Sequence, residues 1–560
     1  MIETGIFSSL TAIFPDKEPT DKQMRRFYMC KNQAINFQLA FKITDNSCHS
    51  TDFFIRVDSV LPVTLYYQNC VPVLNTSLVD TDMPTGLYPD ILLPKKTNPV
   101  LVCFLDAGKQ EMYTEKGESV SLRAYDDSWQ ALWFCVNEFQ KPLKAGEYEI
   151  KLALYDIRNE KVGEDKIAVE VLVDKLPVQK LMYTNWFHHD CLADTYNVPV
   201  FSDRYFEIMK DYVEKAARNG MNMILLPAFT PPLDTPPGGE RMTVQLVQII
   251  KSGSNYSFDF SLMKRFIDIC KKAGIRYFEH VHLFTQWGAA AAPKIIVTEN
   301  GKEKKMFGWH TKATGKKYHA FLKQYLTAVK AFFEREKLTN RVMFHISDEP
   351  NYGNIESYKA ARQSVIDMLK GYLVSDAMSC VAFYEQGLCD MPIAGTSHVH
   401  DFIGKCKNLW AYYIGGDVNG GKANRIIPLQ RERNRVMGMH LYYFAIKGFL
   451  HWGYNNYYGI QSQYLFNPAL NPSGGFALAG TSYFVYPAMD GTAYQSIRQK
   501  LFAEALNDIR LLSLLEKKIG KAETKQLAEK HFGTIRFDRM PQNAQSYLDF
   551  IEDVYKHIQA

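Results

Sequence analysis

The chain changes rhythm at Lys175, Leu176 and Pro177, and that change limits its fold more than any other feature. Before it, apolar runs follow one another with only polar turns between: AINFQLAFKI (34–43), FFIRVDSVL (53–61), VTLYYQN (63–69), PVLVCFLDAG (99–108), SVSLRAY (119–125) and ALWFCVNEF (131–139). GEYEIKLALYDIR and EDKIAVEVLVDKL follow, joined by NEKVG, a hairpin signal. Strands without helices between them bury their apolar faces by packing sheet on sheet, so residues 1–176 read as a β-sandwich. After Pro177 strand alternates with helix. Candidate strands stand at 181–187, 221–229, 275–284, 341–347, 378–384, 394–400, 408–414 and 448–454, most with a helical pattern between. Eight is the number that closes a parallel (β/α)8 barrel of TIM type, expected over 177–515. An open doubly wound sheet is the alternative, weakened because no GxGxxG opens a helix after the first strand. Leucines at helical spacing and a last helix around 545–558 complete the chain, with a helical tail over 516–560. The expected fold class is multidomain: sandwich, barrel, tail.

Charge and cysteine usage exclude several functions. The 65 basic residues nearly balance the 60 acidic ones, and a formal +5 spread evenly is no footprint for nucleic acid. No run of eighteen apolar residues is present, so no membrane span is expected. The first residues, MIETGIFSSLTAIFPDKEP, show neither a basic n-region nor a cleavage site, which makes a cytoplasmic protein the expectation. The ten cysteines form no CxxC, and several sit in apolar runs (Cys103 in LVCFL, Cys135 in LWFCV), as reduced thiols do. Their even number leaves disulfides open. Oligomeric state is not legible in the sequence.

Barrel chemistry comes from the C-terminal ends of strands. Those ends carry His188 and Asp190 (first strand), His282, Gln286 and Trp287 (third), Asp348 and Glu349 (fourth), and Tyr384 and Glu385 (fifth). Tyr412 and Tyr413 end the seventh, and Trp452, Tyr454 and Asn455 the eighth. Five of the seven tryptophans lie between 180 and 460, and Trp186, Trp287 and Trp452 stand at or near strand ends. Aromatic faces mixed with Asn, His and carboxylates suit a sugar, with its apolar C–H faces and ring of hydroxyls; strand-end aromatics that merely cap a core are the plainer alternative. The substrate-binding candidates are therefore His188, Asp190, His282, Gln286, Trp287, Tyr384, Tyr413, Trp452, Tyr454 and Asn455.

Asp348 and Glu349 are the sharpest feature. They follow buried-strand material (RVMFHI) and are stopped by Pro350. Neighbours in a regular strand face opposite ways, but a turn at the strand end lets both reach one pocket. Two carboxylates close together in an apolar mouth push their pKa values apart, leaving one protonated as general acid and one charged. Glycoside hydrolysis needs that division, though an aspartate that merely caps the strand end is the alternative. Two His-x-His pairs, His280 with His282 and His398 with His400, could each present two nitrogens on one strand face. They lie on the third and sixth strands, without evident carboxylate or lysine partners, so no metal and no cofactor is expected. A metal-dependent hydrolase and a non-catalytic carbohydrate-binding protein on the same fold are the rival readings.

Several of these strings, in order, resemble one family. WFHHD, LPAFTPPLDT, HLFTQWGA (282–289), FGW (307–309), FHISDEP (344–350), KGFLHWGYNNY (447–457) and FVYPAMDG…SIR (484–498) are similar to the catalytic domain of glycoside hydrolase family 123, over roughly 180 to 515. The resemblance implies a β-sandwich ahead of the barrel and a β-N-acetylgalactosaminidase that retains configuration by substrate-assisted catalysis. It further implies that Glu349 protonates the leaving oxygen and then serves as base, while Asp348 orients the 2-acetamido group whose carbonyl oxygen attacks the anomeric carbon. Glu385 is the candidate nucleophile should an ordinary double displacement apply instead.

Overall fold

The computed structural model describes residues 2–44, 49–74, 84–95, 118–126, 128–156, 158–475, 477–539 and 543–560. The run read as a strand at 99–108, with Cys103, lies outside them. Ten strands precede Pro177 among the described residues: β1 (Ile2–Ser8), β2 (Arg26–Met29), β3 (Ile35–Ile43), β4 (Ser50–Asp58), β5 (Val63–Val73), β6 (Gly86–Pro94), β7 (Glu118–Tyr125), β8 (Gln130–Val136), β9 (Gly146–Asp156) and β10 (Lys161–Val171). One sheet runs β1-β3-β8-β5-β6 and the other β2-β10-β9-β4-β7. Alternate residues of both sheets, among them Phe37, Leu39 and Phe41 of β3 and Ile150, Leu152 and Leu154 of β9, share one core between the sheets. The opposite face of the first sheet is buried too, since Tyr66, Leu92 and Trp133 join the core of the second half of the chain. That double burial explains why ALWFCV is apolar at every position.

In the second half, strands and helices alternate around an all-parallel sheet. Its strands are β11 (Met182–Asn185), β12 (Met223–Leu226), β15 (Tyr277–His280), β18 (Val342–Phe344), β19 (Leu373–Val374), β20 (Ile393–Gly395), β21 (Trp410–Tyr412) and β22 (Gly448–His451). Between them two hairpins, β13–β14 (Gln248–Ser252, Asn255–Asp259) and β16–β17 (Ile295–Glu299, Lys302–Phe307), pair into a separate four-stranded sheet. The parallel order is β19-β18-β15-β12-β11-β22-β21-β20. Beyond β19 the chain hydrogen-bonds to β20, with Met378 N–H donating to the Ile393 carbonyl (2.8 Å) and Ile393 N–H to the Asp376 carbonyl (3.1 Å). The eightfold pattern thus holds in coarser form than expected.

Its fifth unit is the exception. Residues 378–384 form no strand; Ala382–Glu385 is a short helix, and the strand is the two-residue β19 just upstream. A short apolar run such as SCVAFY cannot be told from a buried helix by periodicity.

The helix Asp203–Arg218 starts where Ser202 Oγ accepts from Tyr205 N–H (3.2 Å) and ends before Gly220, whose φ of +94° suits glycine. Met223, Leu225, Met343, Ile393, Trp410 and Leu450 point to the sheet's inner side, whereas Ile224, Phe278, Phe344, Ala411 and Phe449 face the helices. Trp410 fits inside because Gly448 opposite has no side chain; a Cβ there would stand 2.1 Å from the indole. Trp410 and Gly448 are register partners.

The two halves are interlocked. Strands β23 (Val485–Pro487) and β24 (Ala493–Ser496) extend the first N-terminal sheet, with Ser496 opposite Ile91 of β6. The helix Ile497–Ile519 then runs between the halves, crossing the expected start of the tail at 516. On it, Arg498 pairs with Asp90 (3.0 Å) and Lys500 with Glu138 (2.7 Å). Glu504 accepts from Ser9 Oγ (2.7 Å) and Asn36 Nδ2 (2.7 Å). All of these are buried. Burial would raise the Glu138 carboxyl, but the Lys500 ammonium overrides it and holds it at about 2. Cutting one partner from such a pair leaves a charge with no water. Arg498→Met is therefore expected to lower the free energy of unfolding by about 3–5 kcal/mol in a denaturant titration, and Arg498→Met with Asp90→Leu to recover much of the loss.

Candidate active site

The inner side of the parallel sheet opens at its C-terminal end into a cavity of about 190 Å³ lined by Trp186, His188, Leu233, Asp234, Gln286, Trp287, Asp348, Glu349, Ala377, Tyr412, Ile414, Leu450 and Trp452. Asp348 and Glu349 both face it. Their adjacency is possible because Glu349 takes a left-handed backbone (φ +44°), which ends the strand alternation. Two backbone hydrogen bonds fix this turn: Glu349 N–H donates to the Ala377 carbonyl (3.1 Å), and Trp287 N–H to the Asp348 carbonyl (2.7 Å). Trp287 (φ +56°) and Asp234 (φ +48°) are left-handed as well. Such non-glycine conformations cost energy and persist where surrounding contacts impose them.

The two carboxylates differ in surroundings. Asp348 is buried, and burial, followed by the charge of Glu349, pushes its carboxyl well above the usual carboxylate range. Glu349 stands nearer solvent, and the Tyr412 hydroxyl donates to its Oε1 at 2.7 Å. Burial thus favours the protonated form of the deeper carboxyl, Asp348.

A third carboxylate lies in the wall. Asp234 N–H donates to Gln286 Oε1 (2.9 Å), and Asp234 Oδ2 accepts from Ser462 Oγ (2.9 Å). Burial raises the Asp234 carboxyl despite the nearby Arg241 charge.

Opposite, Arg241 clamps the wall. Its Nε and Nη2 donate to the Asp190 carboxylate (2.6 and 2.9 Å), its Nη1 to the Leu233 carbonyl (3.1 Å), and its Nη2 faces His188 Nδ1 at 3.1 Å. Since guanidinium only donates, His188 carries its proton on Nε2, which donates to the Trp452 carbonyl (2.8 Å). Burial, then the Arg241 charge, pushes the imidazole down to about 4, so the ring is neutral.

A model of the glycoside hydrolase 123 catalytic domain matches residues 186–515. The chain belongs to glycoside hydrolase family 123. It is a glycosidase. Among solved structures, a family 123 glycoside hydrolase from Clostridium perfringens, studied for glycolipid glycan hydrolysis, overlays with a TM-score of 0.72 at 14% identity, covering 100% of this chain and 98% of that one. A β-glucuronidase of Bacteroides uniformis (TM-score 0.26, 10% identity, 87% of this chain and 49% of that one) and one of Parabacteroides merdae (0.30, 10%, 90% and 51%) overlay far more loosely. No curated protein sequence matches the chain.

For this family 123 chain, six of the residues expected from sequence line the pocket: Asp348, Glu349, His188, Gln286, Trp287 and Trp452. The others do not. Tyr413 points outward against Phe449 and His451, because it has the opposite strand parity to Tyr412. Tyr384 lies on the short helix, donating to the Lys405 carbonyl (3.0 Å), and Glu385 pairs with Lys405 at the surface (2.8 Å). Tyr454 is buried with its hydroxyl on the Tyr212 carbonyl (3.0 Å), and Asn455 spends its amide on the His188 backbone (2.9 and 3.1 Å). Asp190 is consumed by Arg241. His282 lies in the buried layer next to Trp186, whose indole meets it edge-on at 5.2 Å.

Neither His-x-His pair builds a ligand set. His280 turns away to Tyr325 Oη (2.7 Å), and His400 accepts from Phe537 N–H (3.2 Å) while His398 is exposed. Among the described residues His282, His345 and Asp376 do bring ligand atoms within 4.8 Å of one another. Yet the two imidazoles stack at 4.5 Å and 21°, so one cation cannot lie in the plane of both rings.

Trp186, Leu233, Asp234, Ala377, Tyr412, Ile414 and Leu450 line the pocket outside the expected binding set; LPAFTPPLDT carries two of them, Leu233 and Asp234, and the seventh strand end two more, Tyr412 and Ile414. Tyr412→Phe removes the hydroxyl that fixes Glu349 and no packing atom besides. Steady-state kinetics on a chromogenic β-glycoside substrate should show kcat reduced about 10- to 100-fold, with the thermal midpoint unchanged.

Proposed function

We propose that the chain hydrolyses terminal β-linked N-acetylhexosamine, N-acetylgalactosamine foremost, with retention and with the substrate's own 2-acetamido group as nucleophile. The observation that carries this reading is the side-by-side arrangement of Asp348 and Glu349 on one pocket, with Trp186, Trp287 and Trp452 as sugar-sized apolar walls. The volume is below the ~300–1,000 Å³ of pockets enclosing a drug-sized ligand, which suits one terminal ring with its aglycone outside. The Clostridium perfringens structure was studied for glycolipid glycan hydrolysis, and a glycolipid glycan is the aglycone class we propose here. In this reading the parallel sheet works as a closed (β/α)8 barrel, and residues 1–176 buttress it rather than add a second activity.

The chemistry follows from the different depths of the two carboxyls. The acetamido N–H of a bound sugar donates to Asp348, favouring its ionised form, and the pair's proton then belongs on Glu349 beside the glycosidic oxygen. The acetamido carbonyl oxygen attacks the anomeric carbon, the glycosidic bond breaks, and Glu349 protonates the leaving oxygen. Asp348 faces the positive charge that develops on the oxazolinium nitrogen. Water then attacks the same carbon, gives its proton to Glu349, and the ring opens with configuration retained.

Glu349→Gln should lose about 10²–10⁴-fold in rate on substrates with poor leaving groups and much less on activated aryl glycosides. Substrates bearing a 2-hydroxyl should be nearly inert, and a thiazoline mimic of the intermediate should bind far more tightly than the sugar. A stable 2-fluoroglycosyl adduct found by mass spectrometry on any carboxylate, with Asp234 the first to examine, would overturn the substrate-assisted mechanism.

A further inference from the structure

Under the floor of the pocket lies a buried ionic cluster that the mechanism above does not use. His345, fully buried three residues before Asp348, faces Glu279 of β15 through Nε2 (3.1 Å) and Asp376, just beyond β19, through Nδ1 (3.5 Å). Glu279 also accepts from the Trp186 indole N–H (2.9 Å), and Trp186 is a pocket wall. Asp376 Oδ1 accepts from the backbone N–H groups of Ile346 and Ser347 (2.8 and 3.2 Å), which lead directly into Asp348. From the remaining side His282 stacks on the His345 ring. Neither His282 nitrogen has a hydrogen-bond partner, and burial followed by the His345 charge keeps this ring neutral.

We propose that His345 is a positioning residue for the family 123 reaction: held as an imidazolium between Glu279 and Asp376, it supplies the positive charge that lets Asp348 ionise when substrate binds. Nε2 hydrogen-bonds Glu279, and Nδ1, which makes no hydrogen bond, has the Asp376 carboxylate 3.5 Å away, so negative charge faces both ring nitrogens and favours the doubly protonated ring. A buried unpaired imidazole would be pushed down, but the contacts with Asp376 and Glu279 lift this one to about 10. On Asp348, burial, Glu349 and Asp376 all favour the protonated form, and the His345 charge opposes them. The inference rests on the role given to Asp348 above.

The test is the pH dependence of kcat on a 2-acetamido substrate. In His345→Gln the acid limb should move up by ~1 unit or more, as expected when a nearby opposite charge is lost, with the plateau rate partly retained at higher pH. Glu279→Gln should instead bring the deprotonation of His345 into range and make the rate fall early on the alkaline side. A uniform loss at every pH, or unmoved limbs in both variants, overturns the proposal. Should His345→Gln fail to fold, ¹⁵N-histidine NMR of the wild-type protein decides: both His345 nitrogens protonated at pH 8 supports it, and a single-proton tautomer overturns it. The NMR reading needs no substrate. Its outcome is therefore separable from a failure of the acetamido mechanism, which 2-hydroxyl substrates report.

Discussion

Two consecutive carboxylates can serve one substrate only where the chain between them abandons extended geometry, and the structure depends on how that is enforced at Glu349. A left-handed residue with a full side chain is disfavoured in isolation. Here it is held from both sides: Ala377 takes the Glu349 amide, and the Asp348 carbonyl takes the Trp287 amide. Those two partners come from the connection after β19 and from the loop after β15. The site is thus a product of three neighbouring strand ends, and Trp287 and Asp234, which line the same pocket, are left-handed as well.

Polar groups at this end of the sheet sort into those that face the cavity and those that hold it. Arg241 takes both Asp190 oxygens as well as the Leu233 carbonyl, which holds Asp190, on the short helix His189–Thr195 after β11, in the wall and off the cavity. Gln286 works in both directions, lining the cavity while its amide secures Asp234 and the Thr235 carbonyl (3.0 Å). The interface between the halves obeys the same rule: Arg498 and Lys500 are each matched by a carboxylate of the N-terminal half, so neither charge is buried alone.

The sequence made the two rhythms readable, because the period of two and the strand–helix alternation are local properties. It also showed the Asp-Glu pair, since two adjacent carboxylates directly after buried-strand material are badly placed for a solvated surface pair. Other features depended on partners far away in the chain. Nothing near Asp190 announces Arg241, and nothing near His345 announces Glu279 and Asp376. Tyr412 and Tyr413 could be ranked only by strand parity, which shifts with a one-residue change in where β21 begins. The fifth strand failed because two residues are too few to carry a pattern.

The late strands β23 and β24 have a consequence for how the molecule is made. Strand β6 receives its neighbour only when residues near Ser496 have been synthesised. At ~5–20 residues per second, an edge that belongs in a sheet interior stays open on the order of tens of seconds. Tyr66, Leu92 and Trp133, which end up under the second half, are uncovered for the same interval. The nascent N-terminal sheet is therefore a partly built structure with a sticky edge and a sticky face. It becomes a finished domain only when the far end of the chain returns to it.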